Sequence, residues 1–66
     1  MVLTVNGERK EISGTTTMTG LLDDLGINPE TVVVERNMNI LRREDLGEEV
    51  LEDGDTIEII QMVDGG

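Results

Sequence analysis

Only one stretch of this chain has the residue spacing of an amphipathic helix. Its aliphatic side chains recur at i, i+3, i+4 and i+7, so they share one helical face. Thr17 precedes the stretch as a candidate N-cap, and Gly26 follows where a left-handed residue would end a helix. A single helix covers one face of a sheet, so the remaining segments must pack on it as strands. The four side chains are Met18, Leu21, Leu22 and Leu25.

Segments on both sides of the helix have the character of strands. Asn6-Gly7 separates two alternating runs and predicts a tight hairpin, because both central residues of a type I′ turn need positive φ. Residues 31–35 form a β-branched run, and a turn at 37–39 leads into a short strand at 40–42. Residues 56–63 are predicted to form the longest strand. The predicted order is β-β-α-β-β-β.

The strand order indicates an α+β fold of the β-grasp, or ubiquitin-like, type. With the first two strands paired as a hairpin, the last strand fits in the centre of the sheet, parallel to the first. We expect a mixed sheet of four or five strands packed on one main helix. Residues 1–63 would form this single domain, and residues 64–66 a flexible tail. The predicted inward side chains are Leu3, Val5, Ile12, Val32, Val34, Ile57 and Ile59, with Val50 and Leu51 fastening the acidic connection at residues 44–49.

The composition excludes several classes of function. The 66 residues include no cysteine, histidine or aromatic residue. Disulfides, imidazole or thiolate metal sites, Ser-His-Asp or Cys-His catalysis and stacking on nucleobases are therefore excluded. We expect no bound cofactor and no metal, and a protein that is not an enzyme.

The net charge of −10 bears on the choice of partners. It disfavours nucleic acid and anionic membranes. Two explanations stay open: solubility, including solubility in a salty cytoplasm, and electrostatic steering into a basic groove of a larger protein. The sequence shows neither a secretory signal pattern nor an apolar run of membrane-spanning length. We therefore expect a cytoplasmic monomer.

The acidic pairs offer no convincing catalytic site. Asp53-Gly54-Asp55 is typical of a tight turn, since the remaining ligands of a calcium loop do not follow it. Asp23-Asp24 and Glu48-Glu49 are expected to be solvated. The reactive group that survives this elimination is the α-carboxylate of Gly66, which is ionised at neutral pH.

The sequence ends in Gly65-Gly66. At a glycine usage of roughly 7 %, such a pair is expected by chance in only about 0.5 % of chains. Without Cβ atoms the two residues can enter a channel too narrow for side chains, so Gly65 gives clearance and Gly66 presents the carboxylate. A carboxylate becomes an acyl donor once ATP converts it into a mixed anhydride. Asp64 places a further negative charge beside the glycines and is included among the candidate partner-binding residues.

A docking surface is predicted from the alternation of the last strand. If Ile57 and Ile59 face the helix, Ile60 and Met62 face the opposite way, beside Val33 and Val2. Apolar side chains on an uncovered sheet face near the tail are candidates for partner binding, and methionine suits adaptable contacts.

Several segments, in order, resemble the ThiS family of sulfur carriers in thiamine biosynthesis. The resemblance covers nearly the whole chain. Arg42 is a departure, because the family often has proline there. The segments are Val5-Asn6-Gly7-Glu8, Leu21-Leu22-Asp23-Asp24-Leu25-Gly26, Val32-Val33-Val34-Glu35-Arg36-Asn37, Ile40-Leu41-Arg42-Arg43-Glu44, Leu51-Glu52-Asp53-Gly54-Asp55-Thr56-Ile57-Glu58-Ile59 and Gly65-Gly66.

The resemblance implies a protein cosubstrate. An E1-like adenylyltransferase of the ThiF type would adenylylate Gly66 with MgATP, and a donor such as a cysteine desulfurase would supply sulfur for a thiocarboxylate. Thiazole synthase, ThiG, would then take the sulfur for the thiazole ring of thiamine. Three alternatives stay open at this point: the small subunit of molybdopterin synthase (MoaD-like), a ubiquitin-like modifier, and a β-grasp interaction module.

Overall fold

The computed structural model describes residues 1–62. It contains five strands, one α-helix and two short 3-10 helices. The strands form a single sheet in the order β2-β1-β5-β3-β4. The elements are β1 Val2–Val5, β2 Glu8–Glu11, α1 Met18–Asp24, a 3-10 helix Pro29–Thr31, β3 Val32–Arg36, β4 Asn39–Leu41, a 3-10 helix Arg43–Asp45 and β5 Thr56–Gln61.

The sheet has the mixed topology that the sequence predicts. β1 and β2 pair antiparallel around a turn in which Asn6 has φ 49° and Gly7 has φ 81°. β5 lies in the centre, parallel to β1 and antiparallel to β3. The β-grasp prediction and the β-β-α-β-β-β order are confirmed.

Both ends of α1 are defined by local hydrogen bonds. Thr17 Oγ1 accepts from Gly20 N at 3.1 Å, as predicted for the N-cap. Gly26 has φ +71°, and its N–H donates to Asp23 O at 3.0 Å, while Ile27 N–H donates to Leu22 O at 2.9 Å. These two bonds form a Schellman motif, which stops the helix after two turns.

We expect Thr17→Ala to lower the free energy of unfolding by about 1 kcal/mol, because the N–H of Gly20 loses its acceptor. For a domain of this size, that loss corresponds to a fall in Tm of about 4–8 °C. Thermal unfolding followed by circular dichroism would measure the change. Thr19→Ala is the matched control, since Thr19 is an exposed residue in the same turn, and its Tm should stay close to that of the wild type.

The core lies between α1 and the inward face of the sheet. Ile12, Leu25 and Ile59 were expected within it and are partly buried at its edge. The buried hydrophobic side chains are Leu3, Val5, Met18, Leu21, Leu22, Val32, Val34, Leu46, Leu51 and Ile57.

One core prediction is wrong in the acidic connection before β5. Leu51 is buried as expected, but Val50 is 54 % exposed, and Leu46 takes the inner position instead. The 3-10 helix Arg43–Asp45 turns the chain so that Leu46 enters the core. Backbone carbonyls of this connection also cap α1: Leu46 O accepts from Thr19 N at 3.2 Å and Glu49 O from Met18 N at 2.9 Å.

A polar cluster is buried where β5 begins. Asp55 is only 7 % exposed, and two nitrogens of Arg36 lie 2.9 Å from its Oδ2. Glu52 N donates to the same oxygen at 2.8 Å, and Asn37 Nδ2 donates to Oδ1 at 3.0 Å. Burial raises the pKa of Asp55, but these hydrogen bonds and the charge of Arg36 outweigh it and hold the pKa below its ordinary value.

Within residues 1–62, no helix is both long and apolar enough to cross a membrane.

Candidate functional site at the end of the last strand

The predicted reactive residues follow directly from β5. Asp64, Gly65 and Gly66 lie outside the described residues, so their roles stay predictions. Met62, the last described residue, is four positions before Gly66 in the sequence. The part of the site that the structure describes is therefore the β-grasp domain that holds β5 and Met62, which we call the platform.

The end of β5 is fixed to the start of β3. Gln61 lies opposite Val32 in the register, and Met62 N donates to Thr31 O at 2.9 Å. Gln61 Nε2 donates to the same carbonyl at 3.2 Å. Thr31 is itself held by the turn before it, since its N–H and its hydroxyl donate to Asn28 O at 3.0 and 2.8 Å. The chain is thus ordered by backbone pairing up to Met62.

A second contact holds β5 from the side of β1. Ile59 N donates to Asn6 Oδ1 at 2.7 Å, and Asn6 Nδ2 donates to Ile59 O at 3.3 Å. From the sequence, Asn6 is predicted only to be a turn residue. A contact across 53 positions leaves no local signal that could have revealed it.

The face of the sheet opposite α1 carries an apolar patch at this end of β5. Ile60 is 47 % exposed and Met62 is 40 % exposed, as expected from strand alternation. Val33 is paired with Ile60 across the strands, which confirms that predicted neighbour. We call Val33, Ile60 and Met62 the apolar patch.

Val2 does not belong to the apolar patch, and this part of the prediction is wrong. Because Thr4 is in register with Thr56, Val2 is level with the beginning of β5. Its carbonyl accepts from Gly54 N at 2.8 Å, at the other end of the sheet from Ile60. Alternation identifies the face on which a side chain lies, whereas only the register of the parallel pair places it along the strand.

Acidic side chains border the apolar patch. Glu35 and Glu58 are directly opposite each other on β3 and β5, two residues along each strand from the pair Val33–Ile60. Both lie on the uncovered face, because Val34 and Ile59 between them and the patch point towards α1. Like charges directly opposite each other oppose sheet pairing, so this pair does not stabilise the sheet.

No group of three or more acidic residues within positions 1–62 is arranged to hold a metal ion. The turn at Asp53-Gly54-Asp55 instead uses its carboxylates for structure. Asp53 Oδ1 accepts from Val2 N at 2.6 Å, and Asp55 belongs to the cluster with Arg36. Gly54 has φ +89°, which is the left-handed conformation that this turn requires.

Comparison with known proteins places the platform in a family. The sequence profile of the ThiS family matches residues 3–66, which is nearly the whole chain and includes Gly65-Gly66. The chain belongs to the ThiS family. The family predicted from the sequence segments is therefore confirmed.

Relatives of this ThiS-family chain include a protein of known structure and a sulfur carrier protein. The crystal structure of the thiamine biosynthesis protein ThiS from Geobacter metallireducens superposes with a TM-score of 0.87 at 36 % identity, covering 100 % of both chains. The sulfur carrier protein TtuB from Thermus thermophilus is 43 % identical over 61 residues, covering 89 % of this chain and 88 % of TtuB.

Two further relatives are much longer proteins. Thiazole synthases from Paramagnetospirillum magneticum and Magnetococcus marinus are 36 % and 41 % identical over 66 residues. This ThiS-family chain spans only 20 % of the length of each, although the whole chain is matched.

Proposed function

We propose that this chain is a sulfur carrier whose Gly66 α-carboxylate is adenylylated and then converted into a thiocarboxylate. The observation that carries the proposal is the family match over residues 3–66, since it includes both the β-grasp platform and Gly65-Gly66. The relative named as a sulfur carrier, TtuB, matches over most of both chains and supports the same role.

The proposed chemistry takes place on the carboxylate and uses a partner enzyme. A carboxylate oxygen of Gly66 attacks the α-phosphorus of ATP, pyrophosphate leaves, and an acyl-adenylate forms. A hydrosulfide equivalent from a sulfur donor then attacks the acyl carbon, AMP leaves, and the thiocarboxylate remains. This chain acts as a protein cosubstrate: a ThiF-type adenylyltransferase would bind MgATP and supply the catalytic groups. A cysteine desulfurase is the proposed source of sulfur, and a thiol reductant would cleave its persulfide, supplying the two electrons that bring the sulfur to the hydrosulfide level.

The proposed destination of the sulfur is the thiazole ring of thiamine. Two relatives are named thiazole synthase, and the matched crystal structure is of a thiamine biosynthesis protein. These names support a ThiG-type thiazole synthase as the acceptor. The second candidate is sulfur transfer to a different acceptor, which the similarity to TtuB favours because that relative is named only as a sulfur carrier.

The experiment is intact mass spectrometry of the chain incubated with a ThiF-type enzyme, MgATP and a sulfide source. We expect a gain in mass equal to the exchange of one oxygen for one sulfur, preceded by an adenylate adduct when sulfide is omitted. Omission of ATP is the control and should leave the mass unchanged. An unchanged mass in the complete reaction would contradict the proposed function.

Transfer to an acceptor distinguishes the two candidates. The thiocarboxylate form, supplied to a ThiG-type thiazole synthase with its other substrates, should return to the carboxylate as thiazole product forms. A thiocarboxylate that forms but is not consumed by thiazole synthase would support the second candidate instead.

The apolar patch is expected to bind the activating enzyme. Ile60→Ala and Met62→Ala together should raise the KM for the carrier about tenfold or more, because two exposed apolar contacts are lost, while kcat stays within about twofold. Steady-state adenylylation kinetics would measure both constants. Ile40→Ala is the matched control, since Ile40 is 70 % exposed on β4 and lies outside the patch. An unchanged KM in the double variant would remove the apolar patch as a docking surface.

A further inference from the structure

Two asparagine residues flank β5 in equivalent turns. Asn6 lies in the two-residue turn between β1 and β2, and Asn37 lies in the turn between β3 and β4. Both have φ 49°, the left-handed conformation that asparagine tolerates better than most residues. Turn preference alone therefore accounts for an asparagine at each position, but it does not account for what the side chains contact.

Each carboxamide takes the place of a strand residue beside β5. Asn37 N donates to Thr56 O at 2.8 Å, and its Oδ1 accepts from Thr56 N at 2.9 Å. Asn6 N donates to Ile57 O at 2.9 Å, and its side chain both accepts from and donates to Ile59. Because β1 runs parallel to β5 and β3 runs antiparallel, Asn37 holds the beginning of the central strand and Asn6 holds its end.

The contact of Asn6 extends the sheet beyond the last residue of β1. The register pairs Val5 with Ile57, and after that the chain of β1 turns away into the hairpin. From Glu58 onward, β3 still pairs along one edge of β5. On the other edge, within residues 1–62, the hydrogen bonds to Ile59 come from the side chain of Asn6.

We propose that Asn6 is a positioning residue for sulfur loading: its carboxamide fixes the end of β5 from which Gly66 is presented to the activating enzyme. The inference rests on the proposed function. Gly66 is four positions beyond Met62, so an anchored Met62 restricts the carboxylate to a radius of about 14 Å at about 3.5 Å per residue. If β5 opened back to Ile57, nine residues would be free and the radius would grow to about 30 Å.

The expected effect is graded, because β3 continues to pair with β5 when Asn6 is changed. The net contributions of two hydrogen bonds correspond to a roughly three- to tenfold larger ratio of opened to closed strand ends. That factor is the upper limit on the loss of kcat, and it is reached where the opened form predominates in the complex with the activating enzyme.

The test compares Asn6→Gly with the matched variant Asn37→Gly. Glycine adopts positive φ freely, so each variant keeps its turn conformation and loses only one carboxamide. Asn37→Gly should destabilise the fold at least as much, since Asn37 also donates to the buried Asp55. Adenylylation of each carrier by a ThiF-type enzyme, at temperatures where both are folded, gives kcat and KM.

We expect Asn6→Gly to lower kcat by more than about twofold and by at most about tenfold, with little change in KM, and Asn37→Gly to leave both constants within about twofold. Hydrogen exchange of the Ile59 amide should accelerate in Asn6→Gly and not in Asn37→Gly. Asn6→Asp, which keeps the acceptor for Ile59 N but loses the donor to Ile59 O, should be intermediate in both measurements.

Three outcomes would overturn the inference. Equal kcat values for Asn6→Gly and the wild type, with accelerated exchange at Ile59, would show that the contact is structural only. Equal losses in both glycine variants would attribute the effect to stability. If the wild-type carrier is not adenylylated at all, the proposed function fails, and the role of Asn6 fails with it. If the wild type is adenylylated and the kinetics of Asn6→Gly are unchanged, only the positioning role is rejected.

Discussion

Deletion of Gly66 is expected to reduce adenylylation at least about a hundredfold while leaving the free energy of unfolding unchanged. One residue spans about 3.5 Å, and a displacement of about 1 Å between reacting groups can already cost a hundredfold in rate. The measurement is ATP-dependent formation of the adenylate by intact mass, with chemical denaturation as the check on folding. Addition of one residue after Gly66 should have the same effect, because it moves the carboxylate in the opposite direction.

Asp64→Asn is the matched control for the tail. It keeps the number of residues between β5 and Gly66 and removes a negative charge that would lie near the phosphates of ATP. We expect its adenylylation rate to equal or exceed that of the wild type. Substantial activity in the Gly66 deletion would contradict the assignment of the α-carboxylate as the reactive group, whatever the result for Asp64→Asn.

Asp55→Ala is expected to cost about 3 kcal/mol of unfolding free energy, the second large effect. The substitution leaves Arg36, whose side chain is 17 % exposed, without its closest anion, and it removes the acceptor of Glu52 N. A chain of this length has a total stability of only about 3–10 kcal/mol, so the loss amounts to roughly a third of that stability or more. Urea denaturation measures the loss.

Asp53→Ala is the control within the same turn. Asp53 is exposed, and its carboxylate accepts one hydrogen bond from Val2 N, so its loss should cost about 1 kcal/mol or less. The double variant Asp55→Ala with Arg36→Ala should lose less than the sum of the single variants, since each single variant leaves one member of the pair unpaired and the double variant leaves neither. Strict additivity would contradict a direct interaction between the two side chains.

The same cluster predicts how stability depends on pH. The pKa of Asp55 in the folded state lies below its ordinary value, so the contribution of its charge is complete above about pH 4, the ordinary range of the unfolded carboxyl. The contribution is lost as the pH falls through the lower pKa of the folded state. We expect the wild type to lose stability below about pH 4 more steeply than Asp55→Asn. Parallel pH profiles of the two proteins would contradict this prediction.

Local sequence patterns predicted the elements of the fold but not all of their neighbours. The i, i+3, i+4 spacing and the caps at Thr17 and Gly26 located α1, and Asn6-Gly7 located the first hairpin. Burial in the acidic connection before β5 could not be predicted from the sequence in the same way, because its candidate core residues, Val50 and Leu51, belong to no periodic pattern. Its 3-10 turn decides that Leu46 is buried and Val50 is exposed.

The candidate site was likewise predicted only in part from the sequence. The glycines at the end of the sequence and the alternation of β5 predict a reactive tail and an apolar patch. The exposure of Ile60 and Met62 confirms the alternation, and the family match supports the tail. The sheet register then removed Val2 from the patch, since alternation carries no information on which residues of a parallel neighbour are level with each other.

By itself the sequence predicted one α-helix, five strands and their β-grasp order, because those properties depend on residue spacing and turn preference along a short stretch of chain. The resemblance of its segments to the ThiS family indicated the family. Tertiary structure alone decided that Asn6 bonds to Ile59 and that Asp55 is buried against Arg36. The physical reason is that a polar side chain in a turn has the same local preference whether it faces water or a strand brought beside it by folding. Which of the two occurs depends on contacts between residues far apart in the sequence.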